Sequence, residues 1–145
     1  MGFMDEALAQ ARAAAARGEV PVGAVLVLDG RVIARAGNRV EELADPTAHA
    51  EILAIRAACA LLGVPRLPGA DLFVTLEPCP MCAQAIANAR LRRLVFGAYD
   101  PKGGGVEHGP RLFGLPTCHH RPEVVAGVSE TEAGALLRDF FAARR

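Results

Sequence analysis

Ala48-His49-Ala50-Glu51 and Pro78-Cys79-Pro80-Met81-Cys82 are the two stretches around which this chain is organised. Together they supply one imidazole, two thiols in C-x-x-C spacing, and a carboxylate two residues from the imidazole. That spacing lets two thiolates grip one metal ion from a single turn. Zinc accepts Cys sulfur and His nitrogen in tetrahedral geometry, and three protein ligands leave a fourth position for water, the arrangement of a catalytic rather than a structural site. His49, Cys79 and Cys82 are therefore the expected ligands of one zinc ion per chain. Glu51, which is not a ligand, is the expected proton shuttle. Each half alone is weak: a lone His before an apolar helix is usually a cap or a packed core residue, and a lone C-x-x-C also marks redox pairs and structural zinc knuckles. Their joint occurrence, in this order and each ahead of helix signals, favours the metal.

The surrounding residues say how the two halves meet. Asp45-Pro46-Thr47 supply helix-start chemistry, and Ile52, Leu53, Ile55, Ala58, Cys59 and Leu62 carry an apolar helix to Gly63. Cys59 on its apolar face reads as an inert core thiol. Pro80 suits the first turn of a second helix, through about Ala89. Residues two apart on a helix point about 200° apart, so His49 and Glu51 can serve one site only if their helix meets it end-on. End-on approach also aims the positive end of each helix dipole at the site, which favours thiolates.

Outward from these helices, Phe3, Met4, Ala7, Leu8 and Ala11 predict a helix over residues 3–17, closed by Gly18. Val22–Leu28 and Arg31–Ala36 flank Asp29-Gly30, a strong hairpin signal, and residues 39–45 read as a polar loop. After the Pro-rich link Val64–Gly69, Leu72–Leu76 and Leu94–Ala98 read as buried strands. Tyr99–Pro116 is a long Gly- and Pro-rich loop, of the kind that is usually functional in a small domain. Glu123–Val128 is a candidate fifth strand, and Ser129 with Glu132 predicts a capping box for a last helix through Ala143. The order of elements implies one domain, residues 1–145: a three-layer α/β/α sandwich around a mixed five-stranded sheet.

Composition agrees with a globular protein: 145 residues, 52% hydrophobic and 22% charged. No apolar run approaches the roughly 20 residues needed to span a bilayer. The acidic start, Met1 to Glu6, lacks the basic opening of a signal peptide, so a cytoplasmic protein with reduced cysteines is expected. Net charge is zero, which argues against gripping nucleic acid by bulk charge. Residues 1–89 hold seven Arg against ten acids, whereas residues 90–145 hold eight Arg and Lys102 against six. The basic C-terminal third, with Arg90, Arg92 and Arg93 as a group, offers candidate phosphate partners, although an unevenly charged solvated surface accounts for the same count.

The pattern H-x-E followed by P-C-x-x-C resembles the signature of the zinc deaminases of nucleobases. Glu19 to Ala24, Gly37-Asn38-Arg39, Thr47 to Glu51, Leu76 to Cys82, Val95 to Lys102 and Leu137 to Phe141 are, more narrowly, similar to the bacterial tRNA-specific adenosine deaminases of the cytidine deaminase-like superfamily, nearly end to end and in the same order. The resemblance implies a cytidine deaminase-like fold, a homodimer, and conversion of the wobble adenosine of a tRNA anticodon stem-loop to inosine. It carries His49, Cys79 and Cys82 over as zinc ligands and Glu51 as the proton shuttle. Asn38 and the backbone of Ala50 match positions that contact the flipped-out nucleoside, and Asp100 and Lys102 match a loop at the anticodon.

Three features stand apart from the family pattern. Gln84 occupies a position where a small residue is common, and the chain ends at Arg144-Arg145 without the basic tail of some members. Cys118-His119-His120, with His108 nearby, can be misread as a second metal site; a loop segment lining the RNA groove is the favoured reading. Two other functions stay open on the sequence: a deaminase of a small free base or nucleoside such as guanine or cytosine, and a silent zinc-stabilised RNA-binding domain, against which the presence of Glu51 speaks.

Overall fold

The apolar runs of the chain form a five-stranded sheet clothed by helices on both faces. The computed structural model describes residues 2–144; Met1 and Arg145, the ends of the expected domain, lie outside them. In chain order the elements are α1 (Phe3–Ala16), β1 (Gly23–Leu28), β2 (Arg31–Gly37), α2 (Val40–Leu43), α3 (Ala50–Leu62), β3 (Asp71–Leu76), α4 (Pro80–Asn88), β4 (Arg93–Ala98), a 3₁₀ turn (Leu112–Gly114), β5 (Glu123–Val125) and α5 (Glu130–Ala142). The sheet order is β2-β1-β3-β4-β5. β1 pairs antiparallel with β2 and β3, whereas β3, β4 and β5 run parallel, so the expected mixed α/β/α sandwich is what forms.

Strands buried on both faces need apolar side chains at successive positions rather than in alternation, and β1 and β4 have them. Ala24 and Leu26 of β1, Leu72 and Val74 of β3, and Leu94 and Phe96 of β4 pack with Ala50, Ala54 and Ile86 beneath α3 and α4. Val25, Val27 and Val95 point the other way, onto Met4, Leu8 and Ala133 of α1 and α5. Asp29 and Gly30 both take positive φ, 51° and 76°, the mirror-image turn that matches strand twist and closes the β1–β2 hairpin.

Several expectations are modified. Residues 39–45 contain the one-turn helix α2 rather than only a loop, because the buried Glu19 carboxylate accepts the backbone N–H groups of Glu41 (3.1 Å) and Glu42 (2.8 Å) and so caps its start. The last strand spans three residues instead of six. Ser129 takes a left-handed conformation (φ 57°) and its side chain caps nothing, and Glu132 pairs with Arg12 of α1, so the expected capping box does not form. Ala83 and Ala87 of α4, with Ala89 just after it, are buried in this chain's own core, where their small size lets α4 lie close to the sheet. No helix of the described residues is long and apolar enough to cross a membrane.

Leu26 lies at the centre of this packing and is fully buried. Leu26→Ala is expected to cost about 2–5 kcal/mol through lost burial and the cavity left behind. Val125→Ala, on a side chain 37% exposed, should cost under about 1 kcal/mol. Urea unfolding midpoints of the two variants check the contrast.

Candidate active site

His49 and Cys79 are the N-cap residues of α3 and α4, and both helices start at one end of the sheet, beyond the carboxyl ends of β3 and β4. The end-on approach read from the spacing is therefore realised: Glu51 lies in the first turn of α3 and Cys82 in the first turn of α4. His49 Nδ1 lies 3.6 Å from Cys79 Sγ and 3.5 Å from Cys82 Sγ. Among the described residues these three form the His/Cys/Asp/Glu group whose donor atoms converge, all within 4.8 Å of one another, closely enough to hold a metal ion.

His49 does not cap its own helix with its side chain. Asn38, at the end of β2, does so from outside: its Oδ1 accepts the backbone N–H of Ala50 at 2.8 Å. The two positions expected to contact a nucleoside are thus partners of each other, which fixes the orientation of the Asn38 amide and leaves its Nδ2, rather than the Ala50 N–H, for a ligand. The Asn38 carbonyl in turn accepts from Arg17 (3.1 Å).

Charge and burial set the protonation pattern. The hydrogen bond from the Cys82 thiol pulls Cys79 down to about 4, against the cost of burial and with help from His49. Donating that hydrogen bond, together with burial, pushes Cys82 the other way, far up. His49 is raised by its hydrogen bond to Cys79, partly offset by burial. Burial pushes Glu51 up to about 7, against its own backbone N–H and the charge of His49. A carboxylate near neutrality both takes and returns a proton; a metal ion on the neighbouring donors pulls it the other way.

His49, Glu51 and Cys79 border a cavity of about 650 Å³, with Cys82 buried behind them, a size within the range of small-ligand sites. His49, Glu51, Cys79 and Asn38 line it together with Glu19, Val40, Glu77, Asp100, Gly103, Phe140 and Arg144. The Arg144 guanidinium stacks on the Phe140 ring, 3.5 Å from its centroid. Asp100 is at the wall, its Oδ1 accepting the Gly103 N–H at 3.0 Å, whereas Lys102 lies in an adjoining depression with Tyr99 and Phe141.

Other sequence expectations are not met here. Arg92 forks onto Asp71 through Nε (2.9 Å) and a terminal nitrogen (2.7 Å), and Arg93 pairs with Asp71 and Glu123. Both stand at the amino ends of β3 and β4, away from the cavity, and Arg90 donates to its own helix carbonyl at Ala87. Each of the three thus has a partner within the chain, and none lines the cavity. Cys118 is buried with its thiol on the His120 carbonyl, and the His120 ring bonds the Leu91 carbonyl at 2.7 Å, so the Cys118–His120 segment packs under the start of β4 and lines no groove at the site. Gln84 bonds Asn88 one turn on. The residues missed were Glu19 and Glu77, buried carboxylates whose backbone partners are more than 20 residues away, and Phe140 of α5 with Arg144 just beyond it, 58 and 62 residues after Cys82.

The MafB19-like deaminase family matches residues 2–145. A tRNA-specific adenosine deaminase of Agrobacterium fabrum is 64% identical over 143 residues, 99% of this chain and 94% of the relative. A solved structure from a study of A-to-I editing by tRNA:A34 deaminases at the wobble position of transfer RNA superposes with TM-score 0.92 at 65% identity, covering 93% of this chain and 98% of that one. The guanine deaminase of Nitrosomonas europaea superposes with TM-score 0.82 at 29% identity, covering 97% and 83%. Asn38→Ala, which removes the cap of α3, is expected to cost about 1 kcal/mol, read as a lower urea midpoint at unchanged m-value.

Proposed function

The chain belongs to the MafB19-like deaminase family, and from that membership and the geometry of the site we infer that it is an enzyme that deaminates adenosine to inosine at the wobble position of a tRNA anticodon. The carrying observation is the cavity in which Glu51 stands beside the converging His49, Cys79 and Cys82 donors, on a chain alike from end to end to tRNA-specific adenosine deaminases.

We further propose one zinc ion per chain on His49, Cys79 and Cys82. A tetrahedral zinc with bonds of about 2.3 Å to sulfur and about 2.0–2.1 Å to nitrogen holds S and N roughly 3.5–3.6 Å apart, and the separations of 3.6 and 3.5 Å fit it. Zinc bound there would acidify a water for attack on the ring carbon bearing the exocyclic amine. Glu51 takes one proton of the attacking water and passes it to the ring nitrogen; it then takes the remaining proton from the hydroxyl added to the ring carbon and gives it to the departing amine, so that the C–N bond breaks, the carbonyl forms and ammonia leaves. Asn38 Nδ2 orients the flipped-out nucleoside, and the half-buried Asp100 with exposed Lys102 meets the neighbouring nucleotides at the mouth. RNA readers favour such splayed-out loop bases. We place the enzyme in the cytoplasm, where tRNA is processed.

A homodimer is also proposed. Leu61, Leu62 and Val64 stand exposed at the end of α3, with Leu61 65% accessible, an apolar patch that a second copy would cover. Light scattering at micromolar concentration should give a mass near twice 15.2 kDa; a species at the protomer mass alone would refute the dimer.

The substrate is tested by offering the purified enzyme an anticodon stem-loop alongside free bases and nucleosides and measuring ammonia release. Turnover of adenosine in the stem-loop is expected, with negligible activity on free adenosine, cytidine or guanine; efficient turnover of a free base would favour the small-molecule reading instead. Glu51→Ala should retain about one zinc per chain by metal analysis and lose at least 10²- to 10⁴-fold in turnover.

A further inference from the structure

A second carboxylate borders the cavity, and its surroundings give it a different task from Glu51. The Glu77 side chain is fully buried and accepts five hydrogen bonds. Its Oε1 takes the Asp100 N–H (3.0 Å) and His108 Nδ1 (2.8 Å). Its Oε2 takes the successive N–H groups of Val106 (3.2 Å), Glu107 (2.9 Å) and His108 (3.1 Å). Consecutive backbone N–H groups aimed at one point form a nest for an anion, and here the anion belongs to the chain. With both oxygens so engaged, Glu77 has little capacity left to exchange protons with a substrate.

Contacts on the loop's inner side are equally tight. A Cβ on Gly104 would run into Glu77 Oε2, and one on Gly105 would lie 2.6 Å from Pro80 N and 2.9 Å from the Cys79 carbonyl carbon. The Gly105 N–H also donates to Pro78 O at 2.8 Å. The loop therefore lies directly on the turn that carries Cys79. Its outer side presents Asp100 and Gly103 to the cavity and Lys102 beside it.

We propose that Glu77 is a positioning residue for the RNA substrate: by filling the nest of the Asp100–His108 loop it holds that loop in place as the wall against which the nucleotides flanking the target base dock. The proposal rests on the RNA reading above. Glu77 acts on binding, through Asp100 and Lys102, and not on the proton transfers of Glu51.

The test uses two variants of the full chain on the anticodon stem-loop. Glu77→Gln keeps the shape but turns an amide NH₂ toward backbone donors; His108→Ala removes one half-exposed partner. KM, and the stem-loop Kd from fluorescence anisotropy, should rise roughly tenfold for Glu77→Gln and about threefold for His108→Ala. For both, kcat at saturating RNA should stay within about threefold, with zinc content unchanged. Glu77→Asp, which keeps the charge, should recover part of the loss. Unchanged KM and Kd in either variant would overturn the proposal, as would a fall in kcat with loss of zinc at unaltered KM. If Glu77→Gln yields no soluble protein, His108→Ala and Gly104→Ala are judged by the same criterion. A wild-type enzyme that leaves the stem-loop untouched refutes the substrate reading and this proposal with it; a wild type that turns it over beside unaltered variants refutes the role of Glu77 alone.

Discussion

Three donor atoms drawn from positions up to 33 residues apart must meet within 4.8 Å, and most of the fold can be read as the solution to that constraint. A helix side would offer only one of His49 and Glu51 to a common point. The chain instead brings two helix starts to one end of the sheet, so each first turn rings the site and each dipole adds positive potential there. The parallel pairing of β3 and β4 is what delivers α4 to that place. In open α/β sheets the crevice beyond the carboxyl ends of parallel strands is where ligands bind, and here β2, antiparallel to β1 and so running in the same sense as β3, brings α3 to the same end.

Stabilising such a site requires its irregular walls to be held as firmly as its helices. Loops cannot bury unpaired backbone N–H groups without cost, and two carboxylates that line the cavity meet that need. Glu19 receives the start of α2, and Glu77 receives Asp100 and residues 106–108. Burial would raise Glu77, but the donors from Asp100, His108, Glu107 and Val106 outweigh it and leave it below the ordinary carboxylate range. Glu51, buried without such a set of donors, goes the other way. Two acids of one kind at one cavity are thus separated into anchor and shuttle by their hydrogen-bond partners.

Legibility in the sequence followed the range of the interactions. The Asp29-Gly30 turn, the α3 and α4 starts and the apolar runs of β1, β3 and β4 depend on near neighbours, and each was readable from the residues in it. The H-x-E and P-C-x-x-C halves were readable because ligand chemistry restricts residue types as well as spacing. Roles fixed by distant partners were not: nothing near Arg92 announces that Asp71, 21 residues earlier, will claim its guanidinium, and nothing near Glu77 announces the loop from Asp100 to His108. Ser129 and Glu132 had the spacing of a capping box, yet tertiary contact with Arg12 and a left-handed backbone at Ser129 decided otherwise.

The outer strands carry one more consequence. β2 presents the exposed charges of Arg31 and Arg35, and β5 ends after three residues with Glu123 exposed. Charged or very short margins are poor templates for a foreign strand. Neither margin of the sheet therefore invites the edge of a second folded copy to extend it, although the sheet is open rather than a barrel.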